Sequence, residues 1–234
     1  MTLPKIQYPV FSETIPCTQR VIQFRPFLVK EEKILLIAQQ SDEKEDQLSA
    51  ITQILNNCII DEVNIDELPI FAIEYLFLKI RAKSINNIVE LKYQDTEDET
   101  VYDFSLDLDK IDIDNTLTKN NIIQINENIG LVMKYPSFKS MKKFSTYDSS
   151  NPEDTIEIIA HCIDKIYDAD TVYPASESTI EELKEFISNL RVDQMSKIYE
   201  FFESMPKLIH TFEYKNKLGN DRKIVLEGLS DFFQ

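Results

Sequence analysis

STIEELKEFISNL (residues 178–190), RVDQMSKIYEFFE (191–203) and KLIHTFEYKNKLGNDRKIVLE (207–227) form the run whose reading decides the fold. Ser178 and Glu181 have the spacing of a capping box, in which each side chain satisfies an amide that the first helical turn leaves open. Ile180, Leu183, Ile187 and Leu190 then recur at helical intervals. Asp193 is the expected cap of a second helix, with the stripe Met195, Ile198, Tyr199 and Phe202. Pro206 stops that helix. Ile209–Lys215 and Lys223–Glu227 read as two strands of a hairpin, with Gly219-Asn220 in the connection. Helices followed by a hairpin predict an α+β fold.

Upstream, Pro4, Pro9 and Pro16 leave residues 1–19 without regular periodicity, because each proline fixes φ and removes an amide donor. This is an extended N-terminal arm, draped on its own domain or reaching for a partner. Residues 20–86 read as a helical part with a leading strand at Arg20–Arg25. Its helices are expected over 29–40, around Ile51, Ile54, Leu55 and Cys58, and over 69–83. The last is apolar nearly all round and so central. Residues 87–136 read as a small β-subdomain, with a hairpin from Ile88–Tyr93 and Thr100–Leu106 around a charged tip at 94–99, and short strands at 122–125 and 130–134. Residues 137–234 form a helical part that ends in the hairpin and tail. One helix there is capped by Asn151 and carries Ile156, Ile159, Ile163 and Tyr167, and 168–177 is a linker. The expected fold is α+β and predominantly helical, with an inserted β-subdomain and a C-terminal β-hairpin.

The 234 residues carry a formal charge of −16, from 41 acids against 25 basic residues. Such a chain repels phosphate backbones unless its cations cluster, so no nucleic-acid partner is expected. The acidity is either a solvated surface or a face for a basic protein. Only three glycines are present, isolated from one another, which excludes a P-loop and a dinucleotide fingerprint. Cys17, Cys58 and Cys162 form no CxxC pair, and buried free thiols in a reducing compartment fit them. Asp107, Asp109, Asp112 and Asp114 fall short of a calcium loop, because Ile111 breaks the alternation and no glycine follows. His161 and His210 stand in no recognisable triad. No cofactor, metal or small-molecule substrate is expected, and no stretch has the length of apolar sequence a membrane span needs.

Three stretches carry a resemblance: Arg25-Pro26-Phe27 with Lys30-Glu31-Glu32-Lys33, Tyr75-Leu76-Phe77-Leu78-Lys79-Ile80-Arg81, and Met205-Pro206-Lys207-Leu208 with Gly219 and Leu226-Glu227-Gly228-Leu229-Ser230-Asp231-Phe232-Phe233. In order and spacing they resemble the baseplate hub and hub-assembly proteins of T-even-type contractile-tailed bacteriophages. Some members of that group carry paired cysteines in the middle β region, in the manner of a zinc ribbon. This chain has Lys92, Tyr93, Gln94 and Asp95 there, which leaves a zinc role without support. The resemblance implies a non-enzymatic protein that binds other hub or tail proteins in the host cytoplasm during assembly, and in the virion if it stays in the baseplate. The alternatives are a transient assembly chaperone absent from the particle, and a hydrolase or metal-dependent enzyme with a scattered site such as Asp107, Asp109, His161 and His210. Candidate partner-binding residues are Tyr8, Pro9 and Phe11 of the arm and Leu229, Phe232 and Phe233 of the tail. Phe232 and Phe233 either close the protein's own core or anchor a partner.

Overall fold

The computed structural model describes residues 6–16, 18, 20–38, 40, 41, 44–114, 120–144, 147 and 151–232. In chain order the elements begin with β1 (Phe11–Thr14), β2 (Val21–Phe24), α1 (Val29–Ala38), α2 (Lys44–Cys58), α3 (Ile70–Ala82), β3 (Ile88–Gln94) and β4 (Val101–Asp107). They continue with β5 (Ile113–Asp114), β6 (Ile122–Gln124), β7 (Gly130–Met133), α4 (Phe138–Lys143), α5 (Pro152–His161), β8 (Ile163–Tyr167) and β9 (Val172–Pro174). The chain closes with α6 (Ile180–Ser188), α7 (Val192–Glu203), β10 (Lys207–Lys215), β11 (Asp221–Glu227) and α8 (Leu229–Phe232). Two compact units result. The first gathers Met1–Ile65, Ile70–Asp114 and Lys207–Gln234, and the second Asp66–Pro69 and Asn115–Pro206. Of residues 87–136, β3, β4 and β5 belong to the first unit, and β6 and β7 to the second.

Helix α3 is the post of the first unit. Its sequence IFAIEYLFLKIRA is apolar on almost every side, and Phe71, Ile73, Leu76, Phe77, Leu78 and Ile80 are all buried. Each such side chain contributes about 1.5–3 kcal/mol by leaving water. Three small antiparallel sheets accompany it: β1-β2, β3-β4 and the order β11-β10-β5. Phe104 of β4 lies 4.9 Å from Phe212 and 5.3 Å from Tyr214 of β10, and Tyr102 lies 4.9 Å from Tyr214. The chain leaves this unit at Asp114 and returns at Lys207, and those two residues are cross-strand partners.

The second unit is a four-stranded antiparallel sheet, β6-β7-β8-β9, with helices α5, α6 and α7. Its core joins Ile123, Leu131 and Met133 of the sheet region to Ile159 of α5, Leu183 and Ile187 of α6, and Ile198 and Phe201 of α7. The Phe201 ring stacks on Tyr135 at 5.3 Å and 9°. Tyr167 lies across Gly130 and donates to Gln124 Oε1 at 2.9 Å, and a Cβ at Gly130 would meet the Tyr167 oxygen at 2.2 Å. The glycine is therefore the one residue that leaves room for the ring.

Several expectations are corrected. The structure is 40% helical and 28% strand, so the chain is a mixed α+β fold and not a predominantly helical one. Much of the difference lies beyond His161, where the helix ends at a Cys162 cap and Ile163 and Tyr167 enter strand β8. The supposed linker also holds β9, paired to β8. These strands are five and three residues long, too short for alternation to compete with a helical stripe, and pairing of β8 with β7 and of β9 with β8 decides them. The cap of α6 is Thr179 with Glu182, one residue later than expected. Asp193 lies inside α7, where it pairs with Arg191 at 2.8 Å, while the Arg191 amide donates to Gln194 Oε1 at 2.8 Å.

Candidate partner-binding surface

Residues 6–10 run extended and exposed into β1. Ile6, Tyr8 and Val10 alternate along them with 72%, 41% and 53% of their surface exposed, and Pro9 is exposed between them. Phe11 opens β1, half-buried, its ring 5.7 Å from that of Phe24. At the other terminus Leu229 is buried. Phe232 ends α8 in the backbone trace, and Phe233 lies outside the described residues.

Both termini are held by neighbouring residues of α3. The Tyr75 hydroxyl donates to Glu13 Oε1 at 3.3 Å, next to β1's end, and Glu74 Oε1 accepts from the Leu229 amide at 3.3 Å. Gly228 makes the second contact possible. Its φ of +72° is the left-handed region open to glycine, its amide donates to Leu208 O at 2.9 Å, and a Cβ would lie 3.1 Å from Glu74 Oε1. Burial pushes the Glu74 carboxyl above its ordinary range, with the Leu229 amide working against that and Glu227 adding to it. Further along α3 the buried Lys79 ammonium donates to the carbonyls of Asp109 at 2.8 Å and Ile111 at 2.6 Å.

Arg25 and Glu31 fix where α1 starts. Glu31 is fully buried; it takes the Arg25 fork at 3.0 and 3.3 Å and the Leu28 amide at 2.9 Å. Burial alone would raise its pKa, but the Arg25 hydrogen bonds and the Leu28 amide outweigh it and the group titrates low. Arg25 also donates to the Asn57 carbonyl at 2.8 Å, tying α1's start to α2's end. The Phe27 amide donates to Ser84 Oγ at 2.8 Å. Between arm and helix this leaves an open groove of about 510 Å³ lined by Ile6, Tyr8, Phe27, Val29 and Ile85 among others. Val29 opens α1 at the groove, and two turns further along, past the exposed Glu32 and Lys33, Leu36 and Ile37 also face solvent. Exposed apolar side chains grouped about a groove are of the kind that marks protein contacts.

The charged tip of the β3–β4 hairpin is an internal clasp. Asp95, fully buried, accepts from the amides of Glu97 at 2.7 Å and Asp98 at 3.3 Å, from Arg222 Nε at 3.0 Å, and from the Tyr214 hydroxyl. Glu97 takes the side-chain amides of Asn216 at 2.7 Å and Asn220 at 2.8 Å, and Asp98 takes the Lys217 amide at 2.9 Å. Hydrogen bonds lower the Asp95 carboxyl, that of Tyr214 first. Asp98, which burial would raise, is brought down to about 2 by Tyr102 and backbone amides. The sequence marks 94–99 as a charged tip; that Asp95 turns on itself and closes on Arg222, more than a hundred residues away, is seen only in the structure.

The residues of the scattered-site alternative have separate local roles. Asp107 caps the turn at Leu108–Lys110 and accepts from Asn87 at 2.9 Å, and Asp109 pairs with Lys83 at 2.8 Å. His210 packs edge-on to Phe212, and His161, in the other unit, accepts or donates at 2.7 Å with Lys143 and stacks on Phe144. Among the described residues no group of three or more His, Cys, Asp and Glu could hold a metal ion, and no helix is long and apolar enough to cross a membrane. Burial pushes the Cys58 thiol up to about 11 and that of Cys162 to about 12. Cys17 lies outside the described residues.

Comparison with protein families matches residues 8–234 to the T4 bacteriophage base plate protein. The chain belongs to that family. It is a T4-type phage baseplate protein. No curated protein and no solved structure matches it. The three stretches that carried the resemblance fall on the Arg25–Glu31 pair, on α3, and on the Gly228 contact to Glu74. In this baseplate protein they are the parts that hold the two termini and the start of α1 in place.

Proposed function

We propose that this baseplate protein acts in assembly of the hub, by protein–protein contact and without catalysis. The observation that carries this reading is the groove with its exposed Ile6, Tyr8 and Val29, and the exposed Leu36 and Ile37 further along α1, on a chain of the baseplate family. Tyr8 and Pro9 contribute to the contact directly, and Glu13, Tyr75 and Glu74 hold the termini that frame it. The partners are other hub or tail proteins, met in the host cytoplasm while the tail is being built. The test is a pull-down of the tagged protein from infected cells, with mass spectrometry of what is retained and a parallel search of purified virions. Hub proteins retained by the wild type and lost with Tyr8→Glu/Leu36→Glu support the reading. Finding the protein itself in virions marks a resident subunit, and its absence from them a chaperone. Retention of no tail protein at all overturns the hub role.

A further inference from the structure

In a chain with such an acid excess, cations are expected to find acid partners, and several in the second unit do. Lys143 pairs with Glu157 at 3.4 Å, and Lys184 with Glu153 at 3.7 Å and Glu157 at 3.5 Å. Lys134 and Lys165 are different. Both line a cavity of about 390 Å³ where the end of α5, strand β8 and the start of α6 meet, and neither has a carboxylate partner among the described residues. The remaining polar lining is His161, the hydroxyls of Ser176 and Ser178, and a single carboxylate, Asp164. This lining is dominated by donors, two of them cationic.

The local potential follows the same sign. The His161 imidazole is held below its ordinary pKa by burial first, then by Lys143, with Lys134 adding and Glu157 opposing. The start of α6 is not the source of this character, because Thr179 and Glu182 occupy each other's amides at 2.8 and 3.2 Å. Beneath the cations the floor is apolar, from Ile163, Ile180 and Leu183. A bare inorganic anion would leave that floor uncovered. A peptide with an acidic side chain next to an apolar one would satisfy both.

We infer that this cavity of the second unit is a docking site for an acidic segment of a partner protein, one carrying an apolar residue beside its carboxylate. The inference concerns the second unit alone and does not rest on the hub reading. The test uses the full chain to select from a random peptide library, with the Lys134→Glu/Lys165→Glu protein as counter-selection. One enriched peptide and inorganic phosphate are then titrated against the His161 imidazole signals by NMR. The expected result is enrichment of Asp or Glu next to an apolar residue, and binding roughly tenfold weaker in the double charge reversal. A saturable His161 shift with a rise in its apparent pKa is also expected, from the anion brought beside it. The Lys134→Gln/Lys165→Gln protein, checked by circular dichroism, is expected to lose binding while keeping the fold. Peptides without acids, equal binding by the reversed protein, or phosphate alone giving the same saturable shift would each overturn the proposal.

Discussion

The two units hold together by different means. The second is built from an almost continuous stretch of chain around one apolar cluster, with its polar side chains mostly satisfied a few residues away, as in the Thr179–Glu182 and Asn151–Glu153 caps. The first is assembled from three separate stretches, and polar contacts join them, Tyr75 to Glu13, Glu74 to the Leu229 amide and Asp95 to Arg222, while Glu31 with Arg25 and Lys79 with the carbonyls after β4 fix positions within one stretch. A buried charge that loses its partner is costly, so these contacts specify which distant segments meet, while area burial alone would accept many arrangements.

If that contrast holds, damage should stay within the unit that suffers it. Phe201→Ala removes the ring stacked on Tyr135 and is expected to destabilise the second unit by about 4 kcal/mol. Hydrogen exchange read by mass spectrometry should speed up in α5, α6 and α7 while α3 stays protected. Glu31→Ala leaves the Arg25 guanidinium without its carboxylate and should cost the first unit about 3 kcal/mol, with faster exchange in β2, α1 and the end of α2. Equal acceleration in both units by either variant would erase the distinction. Gly228→Ala forces a side chain into the left-handed region and toward Glu74. About 1–2 kcal/mol is expected, seen as faster exchange at Leu229 and α8 with β10–β11 little changed.

The smallest effect is with pH. His161 in the second unit and His210 in the first both titrate below the ordinary value of 6.5, chiefly because burial disfavours the imidazolium. The unfolded chain then binds more protons than the folded one as pH falls below that value. The stability each neutral ring contributes is therefore complete above about pH 6.5 and lost progressively below it. Urea midpoints should drop modestly between about pH 7 and pH 5. His161→Phe should flatten the dependence in the second unit, and His210→Phe in the first.

How much could be read ahead of the structure follows the same division. The helix over Ile180–Ser188, the Asn151 cap, the buried face of Ile51, Ile54, Leu55 and Cys58, and the hairpins β3–β4 and β10–β11 were all legible. Their signals lie within one or two turns of chain. The prolines of residues 1–19 predicted an arm without regular structure, yet Phe11–Thr14 within it pairs with Val21–Phe24, because the partner strand lies beyond Pro16 and outside the reach of local proline rules. Phe201, buried, was passed over in favour of its neighbour Phe202, because one residue on a helix turns the side chain by about 100° and adjacent aromatics compete for the stripe. The groove beside Tyr8 had no signature, since Phe27 and Ile85 meet it from distant positions.

By itself the sequence determined where most helices and hairpins form, that the thiols and acids make no recognisable metal motif, and which stretches mark the family. Only the tertiary structure decided that Ile163–Tyr167 is a strand, that the acidic hairpin tip closes on Arg222 and Tyr214, and that Glu74 and Tyr75 hold opposite ends of the chain. The reason is physical. Periodicity and caps act between residues a few positions apart, whereas strand pairing and buried polar contacts take their energy from partners whose separation along the chain carries no local trace.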